Sequence, residues 1–305
     1  MTDIIIIGAG PAGLSAAIYA ERAGKNAILL EAMTYGGQII NTPEVENYPG
    51  IKNISGFDFA TALYEQAAGL GAEVIFDKAD KIEDLGDVKK VTTAGGATYE
   101  AKAVIIATGA KNRTLGIARE ESLTGSGVSY CATCDGAFFK GKPVAVNGGG
   151  NTALEDATFL SNYCSKVYII HRREGFRGEP ATLELLRKKE NVEFILNATV
   201  TALIGEPKLS AVEVTDKNTG EKREIAVDGL FIAIGQVPEN KPFENLVELD
   251  AGGYISAGED CLTKTPGVFV AGDCRTKTVR QLTTAASDGA VAALAACGYI
   301  DSHFA

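Results

Sequence analysis

Two glycine-rich loops, each between an apolar run and a helical pattern, constrain the fold of this 305-residue chain more than any other feature. The first, Gly8-Ala9-Gly10-Pro11-Ala12-Gly13, follows the β-branched residues 4–7. Leu14, Ala17 and Ile18 at helical spacing predict a helix to about residue 23, with Pro11 in its first turn and Gly24 at its end. A strand over residues 27–30 then ends at Glu31. The second loop, Gly148-Gly149-Gly150-Asn151-Thr152-Ala153, follows an apolar strand at residues 144–146. It leads into a helix through Leu160 and a strand over residues 166–170, ending at His171-Arg172-Arg173. Gly8 and Glu31 are 23 residues apart, and so are Gly148 and His171. The pattern is an internal duplication, and each copy predicts a right-handed βαβ unit on a parallel sheet.

The copies also end alike. Apolar strands at residues 103–107 and 230–234 run into Thr108-Gly109 and Gly235, and a third, at 268–271, into Gly272-Asp273. Residues 76–99 and 192–227 read as three-stranded antiparallel additions, with turns at Gly95-Gly96 and at residues 218–220. A last helix is expected over about residues 283–296, stopped by Gly298. The fold class is therefore α/β: two Rossmann-like (three-layer ββα) nucleotide-binding domains, the second inserted into the first. The expected boundaries are 1–112 with 241–305 for the outer domain and 113–240 for the inserted one.

A glycine loop before a helix suits phosphate. The backbone can come close, the first helical N–H groups have no internal partner, and the helix dipole favours negative charge. One such loop alone is weak evidence, since it can be a tight turn; two in the same context are strong evidence. Glu31 can accept hydrogen bonds from an adenosine ribose. The second site instead has His171, Arg172 and Arg173, with Arg177 one turn further if that stretch is helical. A carboxylate there would repel a 2′-phosphate by roughly 4 kcal/mol at ~4 Å and an effective dielectric near 20. Arginine reverses the sign and adds forked donors. The second site thus prefers NADPH to NADH, the plainer alternative being a solvated basic cluster. Asp273, past a strand's carboxyl end, reads either as a hydrogen-bond partner for sugar-alcohol hydroxyls or as a helix cap.

Six cysteines remain to be placed. Cys131-Ala132-Thr133-Cys134 can close a small disulfide, and opening it leaves a thiolate fit for exchange. The adjacent Asp135 is a candidate acid or base, or else a turn residue before Gly136. Zinc would need further ligands. Cys164, Cys261, Cys274 and Cys297 are scattered and only His171 and His303 exist, so no metal is expected. A formal charge of −10 argues against nucleic acid. No apolar run approaches a membrane span, and Asp3 stands where a signal peptide would carry positive charge, so a cytoplasmic protein is expected.

The segments GAGPAG, GGQIINTPEVENYPG, ATG (Ala107 to Gly109), CATCDG, GGGNTALEDA, HRREGFR, AGDC and VRQLTTAASDGA occur in order along nearly the whole chain. In this the chain resembles the bacterial-type, low-molecular-weight thioredoxin reductases, class II pyridine nucleotide-disulfide oxidoreductases. The resemblance implies FAD in the outer domain, at Gly8, Gly10, Pro11, Ala12, Gly13 and Glu31. Gly36, Gly37, Gln38, Asn47, Thr108, Gly109, Gly272, Asp273, Arg280, Gln281 and Leu282 would complete that site, the last helix pointing its N-terminus at the flavin. NADPH would bind the inserted domain at Gly148, Gly150, Asn151, Thr152, Ala153, His171, Arg172, Arg173 and Arg177. Electrons would pass from NADPH through FAD to the Cys131–Cys134 disulfide and on to thioredoxin or a thioredoxin-like protein. Cys131 would attack, Cys134 would lie against the flavin and resolve, and Asp135 would handle protons. The resemblance further implies a homodimer and an inserted domain that rotates on crossings near residues 111–116 and 235–241. One departure is Asn147, where the family usually carries an apolar strand residue; it would either find a partner in the loop backbone or shift the loop.

Three rivals share parts of this pattern. A same-fold enzyme reduced by ferredoxin would lack the second glycine loop and the basic cluster. A ferredoxin- or flavodoxin-NADP reductase would lack the cysteine pair. A non-catalytic flavoprotein switch would change redox state once rather than turn over.

Overall fold

The structure, a computed structural model, describes residues 1–42 and 44–304. The chain forms two compact units, residues 1–111 with 237–305 and residues 112–236.

In the first unit, parallel strands Glu73–Ile75, Ala27–Leu30, Thr2–Ile7, Thr98–Ile106 and Val268–Val270 lie side by side in that order. Both faces of this sheet are covered, which is why residues 4–7 are continuously apolar. Ile4 and Ile6 face helices Pro11–Arg22 and Leu282–His303, while Ile5 and Ile7 enter a second core with Val91, Phe243 and Ile255. The antiparallel addition is Ala79–Asp84, Lys89–Thr93 and the start of Thr98–Ile106. One long strand therefore serves both layers.

The second unit repeats the plan. Val192–Leu196, Lys166–His171, Pro143–Asn147, Gly229–Ile232 and Val128–Ser129 form its parallel sheet. Ala198–Ile204, Ala211–Asp216 and Lys222–Ala226 form its antiparallel one. The expected antiparallel block over 192–227 thus begins too early. Its first stretch joins the parallel sheet, and Asn197, in the left-handed region at φ 55°, separates the two.

Two helix expectations are corrected. The last helix runs Leu282–His303 and passes through Gly298 instead of stopping there. Cys297 and Ile300 are buried in the first core, and that packing outweighs the roughly 1 kcal/mol that glycine costs inside a helix. Around Arg177 there is no helix. Residues 172–175 and 177–178 form bends, and the next helix is Pro180–Arg187.

Candidate functional site

The two glycine loops are built the same way. The Gly8 N–H donates to Leu30 O at 2.8 Å, and the Gly148 N–H to Ile170 O at 3.1 Å. A Cβ on Gly8 would lie 2.4 Å from Ala107 O, and one on Gly148 2.3 Å from Ala233 O. A Cβ on Gly13 would lie 1.9 Å from Gly8 O, so only glycine lets that helix close on its loop. Gly10 and Gly150 differ: Gly10 has only the Gly37 Cα at 3.9 Å, and Gly150 has open space. Both are N-cap residues without a side-chain cap. The first-turn N–H groups of both helices are left for a bound anion or solvent.

Several distant stretches of the same unit carry the other expected residues. Glu31 accepts the Ala9 N–H at 2.8 Å and the Met33 N–H at 2.9 Å, so its carboxylate is fixed beside the loop. The Gly36 N–H donates to Ala9 O at 2.7 Å, and the next residue, Gly37, lies against Gly10 and Pro11. Gln38 donates to Ala110 O. Asn47 donates to Gln281 Oε1 at 3.2 Å, and Thr108 donates to Asn240 Oδ1 at 3.1 Å. Gly109 follows at φ 67°. Gln281 caps the last helix reciprocally with Thr284, and Leu282 is that helix's first residue. Arg280 lies over the Tyr254 ring at 4.2 Å and donates to Asp273 O at 3.5 Å.

Asp273 is the informative residue of this set. Its Oδ1 is buried and has no hydrogen-bond partner. Burial pushes its carboxyl above the ordinary range, against the pull of Lys277 and Arg280. The turn carrying it is gripped from below: Asp288 accepts the Gly272 N–H at 3.0 Å, Arg275 Nε and Nη2 at 2.8 Å each, and Lys277 Nζ at 2.9 Å. Burial alone would raise the Asp288 carboxyl, but Arg275 and Lys277 outweigh it and hold it below the usual range. A Cβ on Gly289 would lie 2.1 Å from Ala12 O, so the last and first helices meet backbone to backbone beside this turn. Sequence reasoning did not single out Asn240, Arg275, Lys277 or Asp288. Asp288 lies within the quoted VRQLTTAASDGA stretch, but nothing in periodicity marks a charge that will be buried.

In the second unit Ala153 is buried, while Asn151 and Thr152 are exposed at the start of helix Asn151–Leu160. The Arg177 N–H donates to Gly149 O at 2.8 Å, and Asn151 Oδ1 accepts the Glu179 N–H at 2.8 Å. The basic segment is therefore stitched to the loop by its backbone rather than by helical spacing. Arg172, Arg173 and Arg177 are exposed. His171 is different, being 7 % exposed with its ring under Gly149 and 4.9 Å from that of Phe176. Burial pushes its pKa below the ordinary value, opposed by the hydrogen bond with Gly175 O and helped by the three neighbouring arginines, so at neutral pH the ring is an uncharged support for the loop. Asn147 keeps its place in the strand: its backbone pairs with Ile170 and Ile232, and its O accepts the Ala233 N–H at 2.9 Å.

Cys131 and Cys134 form a disulfide with Cα atoms 5.3 Å apart. Both are half-buried, at the start and within the short helix Ala132–Asp135. Asp135 accepts a 2.6 Å hydrogen bond from Ser129, another residue sequence reasoning passed over. Burial raises the Asp135 pKa and the Ser129 hydrogen bond lowers it, the net direction being up. The other four cysteines are buried free thiols, and burial pushes Cys164 up to about 11 and Cys261 up to about 12.

Comparison with known proteins follows the same lines. The model of the pyridine nucleotide-disulphide oxidoreductase family matches residues 2–289. Thioredoxin reductase of Listeria monocytogenes is 45% identical over 300 residues, 98% of this chain and 94% of that protein. Thioredoxin reductase of Bacillus subtilis is 44% identical, covering 98% and 95%. The crystal structure of thioredoxin reductase from Streptococcus pyogenes superposes with a TM-score of 0.94 at 41% identity, covering 99% of each chain. The chain belongs to the pyridine nucleotide-disulphide oxidoreductase family and, within it, to the thioredoxin reductases.

Proposed function

We propose that this chain is an NADPH-dependent thioredoxin-disulfide reductase that works through FAD and the Cys131–Cys134 pair. The observation that carries the reading is that pair, closed as a disulfide in the same unit as a second nucleotide loop flanked by exposed arginines.

The residues fit both cofactors. In the first unit, open space at Gly10, the fixed Glu31 carboxylate and the buried, unpartnered Asp273 Oδ1 suit a dinucleotide with a sugar-alcohol chain. Gly8, Pro11, Ala12, Gly13, Gly36, Gly37, Gln38, Asn47, Thr108, Gly109, Gly272, Arg280, Gln281 and Leu282 would hold the rest of FAD. In the second unit Gly148 to Ala153 would take the pyrophosphate, and Arg172, Arg173 and Arg177 the 2′-phosphate. FAD and NADPH, when bound, supply the electron pair that opens the disulfide.

The chain's own residues do the exchange. The Cys131 thiolate attacks the partner's disulfide, forming a mixed disulfide and releasing one partner thiolate. Cys134 gives its proton to the Asp135 carboxylate and attacks Cys131 Sγ. The internal disulfide closes again and the second partner sulfur leaves as a thiolate, which takes up the proton held on Asp135. We place this chemistry in a homodimer in the cytoplasm. Among the described residues no helix is long and apolar enough to cross a membrane, and a pair cycling between dithiol and disulfide suits a reducing compartment.

The test is steady-state oxidation of NADPH and of NADH by the FAD-loaded protein, against a panel of oxidised thioredoxins and glutaredoxins. Sustained NADPH turnover with a thioredoxin, abolished by Cys134→Ser, is the expected result. Undiminished turnover in that variant contradicts the proposal, and so does a preference for NADH.

A further inference from the structure

We infer that Ser129 is a positioning residue for disulfide exchange, its one hydroxyl setting both the attacking cysteine and the neighbouring carboxylate. The inference rests on the reading above, in which Asp135 moves the proton.

The geometry is specific. Ser129 is 3 % exposed. Its Oγ lies 2.6 Å from Asp135 Oδ2 and 3.3 Å from Cys131 O, and it accepts the Cys131 N–H at 3.1 Å. A hydroxyl has one proton, and the carboxylate is the nearer and charged acceptor, so the proton goes to Asp135 and a lone pair to the Cys131 amide. The Asp135 N–H returns to Cys131 O at 3.1 Å. The turn from Cys131 to Asp135 is thereby closed twice, once through its backbone and once through Ser129.

Ser129 is itself fixed. It ends the strand Val128–Ser129, at the edge of the parallel sheet, and pairs in register with Phe231 of the neighbouring strand Gly229–Ile232. A side chain rooted in a sheet holds its partners more precisely than one on a loop. Asp135, by contrast, sits at the end of a four-residue helix. Without Ser129 it would keep its burial and lose the group that aims it.

The helix Asn151–Leu160 packs on this turn and brings Glu155 and Asp156, the latter pushed by burial up to about 7, with Tyr163 just beyond its end. Among the described residues none of these charges moves Asp135; besides burial, only the Ser129 hydroxyl does, and it favours the carboxylate. Losing that hydroxyl raises the Asp135 pKa further. A carboxylate that must be ionised to receive the Cys134 proton is then available only at higher pH. The acid limb of the rate profile moves up.

The experiment measures kcat/KM for an oxidised thioredoxin against pH, with saturating NADPH and the FAD-loaded protein, for wild type, Ser129→Ala, Ser129→Thr, Asp135→Asn and the Ala/Asn double variant. Ser129→Ala is expected to lose about tenfold near neutral pH, the change appropriate to one hydrogen bond to a charged group, with its acid limb displaced upward. Ser129→Thr, which keeps the hydroxyl, restores the wild-type limb. Adding Ser129→Ala to Asp135→Asn costs little more than Asp135→Asn alone. An unmoved limb in Ser129→Ala overturns the inference, and so does full additivity in the double variant. Should the alanine variant not fold, Ser129→Val, the hydroxyl-free isostere of the threonine variant, takes its place with the same two outcomes. If Asp135→Asn exchanges disulfides like wild type, the proton role of Asp135 fails instead. An impaired Asp135→Asn beside an unaffected Ser129→Ala defeats the Ser129 inference alone.

Discussion

The two glycine loops share a scaffold and differ in what stands at the end of the next strand. Gly8 and Gly148 each press against a carbonyl just past the end of one neighbouring strand, and each donates its N–H to the end of the neighbouring strand on the other side. Past that point the first copy has Glu31, a carboxylate held by two loop N–H groups, and the second has a buried neutral His171 followed by exposed arginines. The same backbone thus carries opposite charge beside its two loops. Scaffold and selectivity reside in different residues, and they break in different ways.

The largest effect is expected where scaffold is touched. Gly13→Val drives side-chain carbon into Gly8 O and should cost about 3 kcal/mol or more, leaving protein without bound flavin. Gly150→Ala meets no atom, so its unfolding midpoint should stay near wild type while NADPH binding weakens. Flavin absorbance and thermal unfolding of the two purified variants decide this; equal damage would erase the distinction between the scaffold and open glycines. Next in size is the joint change Arg172→Ala and Arg173→Ala. It should raise KM for NADPH about a hundredfold and leave KM for NADH nearly unchanged, since two charge-assisted contacts are removed. A parallel loss for both nucleotides would mean that the arginines do not read the 2′-phosphate. Smallest is Asn147→Val. The strand and loop already hold their register around Asn147, so stability should change by less than about 1 kcal/mol and KM for NADPH by less than about twofold. A larger shift in KM would show that this amide tunes the second loop.

The duplication was legible in the sequence because strand, glycine loop and helix each leave a local signature, and because equal spacing repeats it. The strand Ala27–Leu30 and the helix Asn151–Leu160 fall where periodicity puts them. What local patterns missed was set by tertiary contact. Gly298 lies within a helix because Cys297 and Ile300 are buried beside it, and Arg177 reaches the loop through its backbone N–H rather than along a helix face. His171 stands among basic residues in the sequence, yet its ring fills the space under Gly149. Asn240, Arg275, Lys277 and Asp288 are buried polar groups whose partners lie far away in the chain or across a turn, and no window of sequence pairs them. Ser129 stood two residues from a recognised motif, and only the fold shows its hydroxyl turned to Asp135.

The most direct test is to count and locate reactive thiols. Native, FAD-loaded protein is alkylated anaerobically at about pH 8, with and without NADPH, and the labelled cysteines are identified by mass. Cys164, Cys261, Cys274 and Cys297 are buried thiols with raised pKa values and should stay unlabelled throughout. NADPH should expose two new thiols per chain, at Cys131 and Cys134. No new thiol after NADPH, or label arriving at any other cysteine instead, would contradict the account.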